Sequence, residues 1–420
     1  MRTLERNRER RARWPCALAC FAALVLFPGA ASSSCTYNSV ATPSGVFALS
    51  GDVCTAAAGT YNPTVQPDVS LPVTYTGFGF FATNLNVDGG TGVGGVINSR
   101  SAVTINTSGA NNAYGAWSDG TGAKINLDGG TTVSTIGANS YGLYASGGGA
   151  ISASAPATIG TSGSFANGVQ ADTGGSVTLN GGSVAVTGTG SLGLFATGTG
   201  SQINATDVAV STAGSGLPSN AIAILAGPGA VVTVIGGSAS TTGTDAYVAG
   251  AFTTGATGVA TLNLSGTTIT ATGDGSGGLF ANGTGSTVTA IGLTITTHGN
   301  YDTVNNFGPA GLANQSYPGS PGGGVVTLTN SSILTTGTSA TGVYTANGGV
   351  TTLRGDSIAT SGTNSNGVFS DVGGTINITG GSVSTTGLEA FGVGALGGGN
   401  VSLSGTFVST TGDASIACLC

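Results

Sequence analysis

Charge is scarce in this chain. Asp, Glu, Lys and Arg make up only 6% of 420 residues, and there is a single histidine. Six of the nine basic residues (Arg2, Arg6, Arg8, Arg10, Arg11 and Arg13) stand at the extreme N-terminus. Setting that segment aside, with Glu5 and Glu9, leaves Arg100, Lys124 and Arg354 against 14 acids. So few cations cannot neutralise a phosphate backbone or an anionic membrane surface, which excludes nucleic acid as a main partner. Ser-His-Asp and Cys-His machinery would both rest on His298, which has no cysteine or acidic residue beside it and reads as a turn residue. Cysteine is absent between Cys54 and Cys418, so no zinc spacing exists.

Two glycine-rich stretches also lack what their apparent motifs need. Gly77-Phe78-Gly79-Phe80-Phe81-Ala82 imitates a dinucleotide fingerprint, but no helical pattern follows it. Gly89-Gly90-Thr91-Gly92-Val93-Gly94 lacks the aspartate of a calcium-binding nonapeptide. No metal and no cofactor is expected. Helical periodicity of useful length is missing after residue 31, and aromatic residues are few.

What the chain does have is glycine, 78 of it, and a repeat. In Gly367-Val-Phe-Ser-Asp-Val-Gly-Gly-Thr-Ile-Asn-Ile-Thr-Gly-Gly-Ser-Val-Ser-Thr-Thr-Gly387, three short alternating pieces are separated by glycine pairs, as three brief strands and their turns would be. Copies begin at Gly115, Gly142, Gly168, Gly193, Ala223, Gly250, Gly278, Gly311, Gly342, Gly367 and Gly392. Their spacing runs from 25 to 33 residues. Three strands per period and no helix predict an all-β parallel β-solenoid, about 11–13 coils long, with one copy per coil.

The ends read differently. Residues 1–31 combine the basic start, an apolar run from Cys16 to Phe27 and small residues at Pro28-Gly29-Ala30-Ala31, the pattern of a cleaved export signal. A lipobox is not formed, since Ser32-Ser33-Ser34 precede Cys35. Residues 32–80, broken by Pro43, Pro63, Pro67 and Pro72, read as an N-terminal cap. Cys35 and Cys54 are a candidate disulfide within it; two unpaired buried thiols are the alternative. The coils are expected over 81–412, followed by an irregular tail, 413–420, holding Cys418 and Cys420.

Alternation assigns the faces. One residue after the anchor stand Leu143, Val169, Leu194, Leu279, Leu312, Val343, Val368 and Val393, the expected buried column. Two after it stand Trp117, Tyr144, Phe195, Phe252, Phe280, Tyr344 and Phe369, expected to form an exposed aromatic column and a contact surface. Rings lying flat over the turn, or covered by another segment, are the alternatives. Arg354-Gly355-Asp356 aligns with the turn at Thr379-Gly380-Gly381 and is expected to be exposed and sharply bent, as integrin-binding loops are.

The signal, the Gly-Leu-Phe-Ala-Thr-Gly-Thr-Gly-Ser unit at 193–201 echoed at 278–286, and the acidic Ser/Thr-rich body resemble the passenger region of a Gram-negative autotransporter, pertactin-like or adhesin-like, over residues 32–412. The resemblance implies a right-handed parallel β-helix, exported to the cell surface by an outer-membrane translocator barrel. No series of ten-residue amphipathic strands follows the last coil, so the barrel is expected as a separate protein or as a part lost by truncation. The expected role is adhesion or self-association through the outer face. Its partners are then a glycan or protein of a host or neighbouring cell, or the chain itself. The alternatives are a polysaccharide lyase or hydrolase on the same scaffold, and a truncated, inactive passenger. No catalytic residues are expected, because Asp119 and Asp172 fall two coils apart, about 10 Å by strand spacing.

Overall fold

A strand with an apolar side chain at every second residue has one face to bury, and three such strands per coil can bury theirs against one another. The computed structural model describes residues 34–37, 46–48, 53–56, 59–61, 78–83, 94–107, 111–214, 221–253, 258–304, 308–316 and 322–419. In a typical coil the three strands are Leu194–Thr197, Gln202–Thr206 and Ala209–Thr212. Each pairs in parallel with its equivalents one coil before and one coil after. Among the described residues this gives three sheets of 14, 14 and 13 strands, wound as a right-handed β-solenoid of about 12 turns. They are called here the first, second and third sheets, in the order just given. The expected export signal, residues 1–31, lies outside the described residues.

The inward positions carry the fold. Leu194, Leu279 and Val368 lie in one continuous column of the first sheet, each 0% exposed. Ile203 in the second sheet and Val210 in the third complete the same coil's core. Full burial of each such side chain stabilises by about 1.5–3 kcal/mol, and the columns repeat this coil after coil.

Register corrects one anchor. Ala249 pairs with Ile224 and Leu279, so the equivalent of the anchor glycine in that coil is Val248, not Gly250. The anchor glycines face the core, where an added Cβ would overlap a β-branched side chain of the third sheet: Val133 at Gly115, Ile159 at Gly142, Val383 at Gly367. Ala223 is accommodated because its coil places Ala239, in place of valine or isoleucine, in the third-sheet column.

A second glycine column runs through the turn from third to first strand. A Cβ at Gly163, Gly188, Gly273, Gly299, Gly337, Gly362, Gly387 or Gly412 would overlap the carbonyl oxygen of the equivalent glycine one coil earlier. Three residues on stands alanine or serine, with Asp302 the exception after Gly299, and where the two alternate the serine bonds back to the alanine one coil earlier. The Oγ of Ser191 accepts from the Ala166 amide at 2.8 Å and donates to the Gly163 carbonyl at 2.9 Å. Ser365 does the same to Ala340 and Gly337, and Ser415 to Ala390 and Gly387. The serine thus staples each pair of coils at a turn whose backbones nearly touch.

The ends are more regular than the sequence implies. Ser34–Tyr37, Val46–Ala48, Val53–Ala56 and Gly59–Tyr61, within the expected cap, already join the three sheets. Residues 413–420 are not an irregular tail: Ile416–Leu419 is a strand paired in parallel with Phe391–Ala395. Cys418 is an exposed free thiol opposite Val393; Cys420 lies outside the described residues.

Gly163→Ala is expected to lower stability by about 1–3 kcal/mol, the usual cost of forcing extra volume into a packed site. Gly160→Ala, three residues away, places its Cβ in ordinary contact, 3.9 Å from the Val133 carbonyl oxygen, and should leave stability nearly unchanged. Urea unfolding midpoints of the two variants check this; equal midpoints would remove the glycine column from the account.

Candidate functional site

The candidate contact surface follows from strand register on the outer face of the first sheet. On consecutive coils the ring position is occupied by Phe81, Trp117, Tyr144, Gln170, Phe195, Leu225, Gly250, Phe280, Ala313, Tyr344, Phe369 and Gly394. Six of the seven expected aromatic residues stand there. Phe252 does not: it is aligned with Asn282, two residues past the ring position, which its own coil gives to Gly250.

The column is not bare. Trp117 is 4% and Phe280 5% exposed, while Tyr144, Phe195, Tyr344, Phe369 and Phe252 are half-buried. The rings cover each other. Trp117 lies 4.8 Å from Phe81 and is stacked with Tyr144 at 5.8 Å, and Tyr114 and Tyr141 close the same cluster. Tyr344 and Phe369 stack at 6.3 Å. Elsewhere a ring lies over a neighbouring glycine: a Cβ at Gly250 would overlap the Phe280 ring, and one at Gly394 the Phe369 ring. Phe280 joins Ile222, Leu225 and Tyr247 in a second outer cluster, with Phe195 and Phe252 packed against it. Rings stacked or laid flat bury much of their own area, which a coil spacing of about 4.8 Å permits and aromatic geometry favours.

Polar groups border these clusters. The Trp117 indole Nε1–H donates to Ser146 Oγ at 2.8 Å, and the Ser146 hydroxyl donates to Asp119 Oδ1 at 2.6 Å. Burial pushes the Asp119 carboxyl above its ordinary value, with the Ser146 hydrogen bond pulling the other way. Burial raises the Tyr344 hydroxyl too, helped by the nearby Asp371 charge. Asn167 donates its amide to Gln170 Oε1 at 2.8 Å and accepts from the Leu192 amide at 2.7 Å. These are positioning contacts within the face.

Arg354-Gly355-Asp356 does form a turn, with Gly355 left-handed at φ 69°. Its carboxylate, however, is turned inward, which corrects the expectation of an exposed integrin-type loop. Asp356 is fully buried. Oδ1 accepts the Ser331 amide and Oδ2 the Arg354 amide, each at 2.7 Å. Ser331, one coil earlier, accepts the Leu293 amide through its own Oγ at 3.0 Å. Asp356 is therefore the next staple in a column of inter-coil contacts, leaving only Arg354 and Gly355 exposed.

His298 is exposed, with Nδ1 3.0 Å from Thr336 Oγ1. Asp119 and Asp172 are separated by the Ser146 coil, as expected. Among the described residues no group of three or more His, Cys, Asp or Glu is placed to hold a metal ion. At the N-terminus Cys54 is buried and disulfide-bonded, and strand register sets Cys35 directly beside it. That is the register a Cys35–Cys54 bridge requires.

A chain in the cryo-EM structure of the Vag8–C1 inhibitor complex superposes with a TM-score of 0.59 at 16% identity, covering 86% of this chain and 97% of that one. At that identity the likeness is one of fold, and it supports the passenger resemblance at that level. No protein-family model and no curated sequence matches.

Burial pushes the Asp356 carboxyl up to about 6, against 3.8 ordinarily. The folded state therefore holds a proton at pH values where the unfolded chain has lost it. The stabilisation this gives is complete below about pH 3.8 and lost as pH rises through about 6. Urea midpoints at pH 4.5 and 7.5 should show the native chain gaining stability on acidification relative to Asp356→Asn. Identical pH dependence in both proteins would show that this carboxyl is not the titrating group.

Proposed function

We propose that the chain is an exported, passenger-type β-solenoid that acts by contact, in adhesion or self-association, at the cell surface or outside the cell. The observation that carries this reading is the set of half-exposed rings repeated along the outer face of the first sheet, Tyr144, Phe195, Tyr344 and Phe369 among them. Ring edges left half-exposed in groups on one face are the apolar area that a partner would cover. The fold likeness supports it: the similar chain comes from a complex with another protein, C1 inhibitor. The partner proposed for this chain is a glycan or protein of a host or neighbouring cell. Delivery would fall to an outer-membrane translocator barrel.

The fluorescently labelled chain should attach saturably to host cells. Tyr144→Ala and Phe195→Ala should each weaken attachment roughly five- to thirtyfold, the 1–2 kcal/mol typical of an interface ring. Circular dichroism is needed to confirm that each variant keeps its β structure. A chain that attaches to nothing yet releases sugars from a polysaccharide would replace this reading with a catalytic one.

A further inference from the structure

The outer face of the third sheet is a strip of small neutral side chains that ends at the exposed Phe407, the residue paired with Ser382 on the next coil. Over the eleven coils from Val103–Thr107 to Ser382–Thr385 each strand points two side chains outward, beginning with Thr104 and Asn106 and ending with Ser382 and Ser384. Of these 22 positions, 16 are serine or threonine, and none is Asp, Glu, Lys, Arg or an aromatic residue. Hydroxyls such as Thr132, Thr158, Thr268 and Thr294 are exposed. The acids lie at the rims of this strip: Asp128 and Asp207 in the turns on one side, Asp274 and Glu389 in the turns on the other.

We propose that this strip is a self-contact, through which two copies of the chain pair face to face. The inference rests on the contact reading above and names its partner. Three observations choose a second copy. The strip repeats with the coil spacing of about 4.8 Å, and a second solenoid of this kind carries the same pitch, so its hydroxyl rows stay in register along all eleven coils. The chain carries a formal charge of −7, so two copies can approach closely only where neither presents charge. Finally, 22 residues a side falls within the roughly 20–30 of a standard stable interface. Small side chains on two flat sheets also allow the close packing of stacked sheets, about 10 Å apart. The acidic rims then face one another across the pair. Salt screens that repulsion, so association strengthens with ionic strength.

Sedimentation velocity of the full chain over a range of concentrations tests this. A reversible dimer is expected, with a fraction that rises between 0.02 and 0.5 M salt, where the screening length shrinks from roughly 20 Å to a few ångströms. Thr268→Glu with Thr294→Glu, in mid-strip, should weaken it at least tenfold. Gln202→Glu with Thr289→Glu adds the same charge to the second sheet and should leave it unchanged. A monomer under all conditions overturns the proposal, as does a dimer weakened equally by both pairs. A readout independent of the charge change is Ser240→Cys, on the sixth of the eleven coils. A fully overlapped pair sets that coil against itself, so oxidation links this variant into a covalent dimer; no such product means no such pair. A monomer that still attaches to cells would remove the self-contact and leave the adhesion reading, and a dimer that attaches to nothing would do the reverse.

Discussion

The interaction on which the rest depends is the parallel hydrogen-bond ladder between coils. It holds every residue about 4.8 Å from its counterpart in the next turn, so a side chain's nearest neighbours are those at the same place in the repeat. Each position must then tolerate its own kind. Aliphatic residues satisfy this inside, and hydroxyls outside. Where backbones come closest, in the turn after the third strand, only glycine fits, and the next constraint is met by alternation: Ser191 reaches back to Ala166, Ser365 to Ala340. Rings obey it by stacking, as Trp117 does on Tyr144, or by lying over a neighbour with no side chain, as Phe280 does over Gly250.

The same ladder explains the shortage of charge. Two like charges one coil apart repel by a few kcal/mol at the effective dielectric of a protein surface, and a column of them would oppose the winding of the chain. Acids are accordingly separated or absorbed. Ser146 stands between Asp119 and Asp172, and donates to the first of them. Asp356 is taken into the backbone, where two amides at 2.7 Å share its carboxylate. A polar face in such a molecule has to be built from Ser, Thr and Asn, and its specificity must come from spacing more than from charge.

Much of this was legible in the sequence, and the failures have physical causes. Inward columns could be read because burial requires the same character in every coil; Leu194, Leu279 and Val368 needed no structure to be aligned. Phe252 was misplaced because its coil exchanges the usual Gly-Leu pair for Val248-Ala249, so the glycine two residues on imitates the anchor. Period two shows that rings point outward, but not that they cover each other, since that depends on side-chain torsions and on which neighbour is glycine. Asp356 was misread for a related reason: an aspartate beside a glycine turn looks exposed until the serine one coil earlier, Ser331, is recognised as its partner. The Ser/Ala alternation had a signal, a Gly-x-x-Ser unit following a Gly-x-x-Ala unit, visible only when two coils are read together.

Self-coverage of the rings has a consequence for how the faces divide their work. A ring buried against its neighbours contributes to holding coils together, and only its remaining edge is left for a partner. The first sheet therefore serves stability and contact at once, which makes its aromatic positions costly to change on both counts. The third sheet bears no such double duty outside. Its inward Val and Ile secure the coil, while its outward Ser and Thr are exposed or half-buried, Ser357 and Ser382 lying within hydrogen-bond distance between coils. Stacked columns of lysine or glutamate are disfavoured there by the same coil-to-coil repulsion, and a column of small hydroxyls leaves the face both neutral and flat. The 22 outward positions are neutral and small while acids stand at the rims, which is the surface that a close-packed contact between two such faces would need.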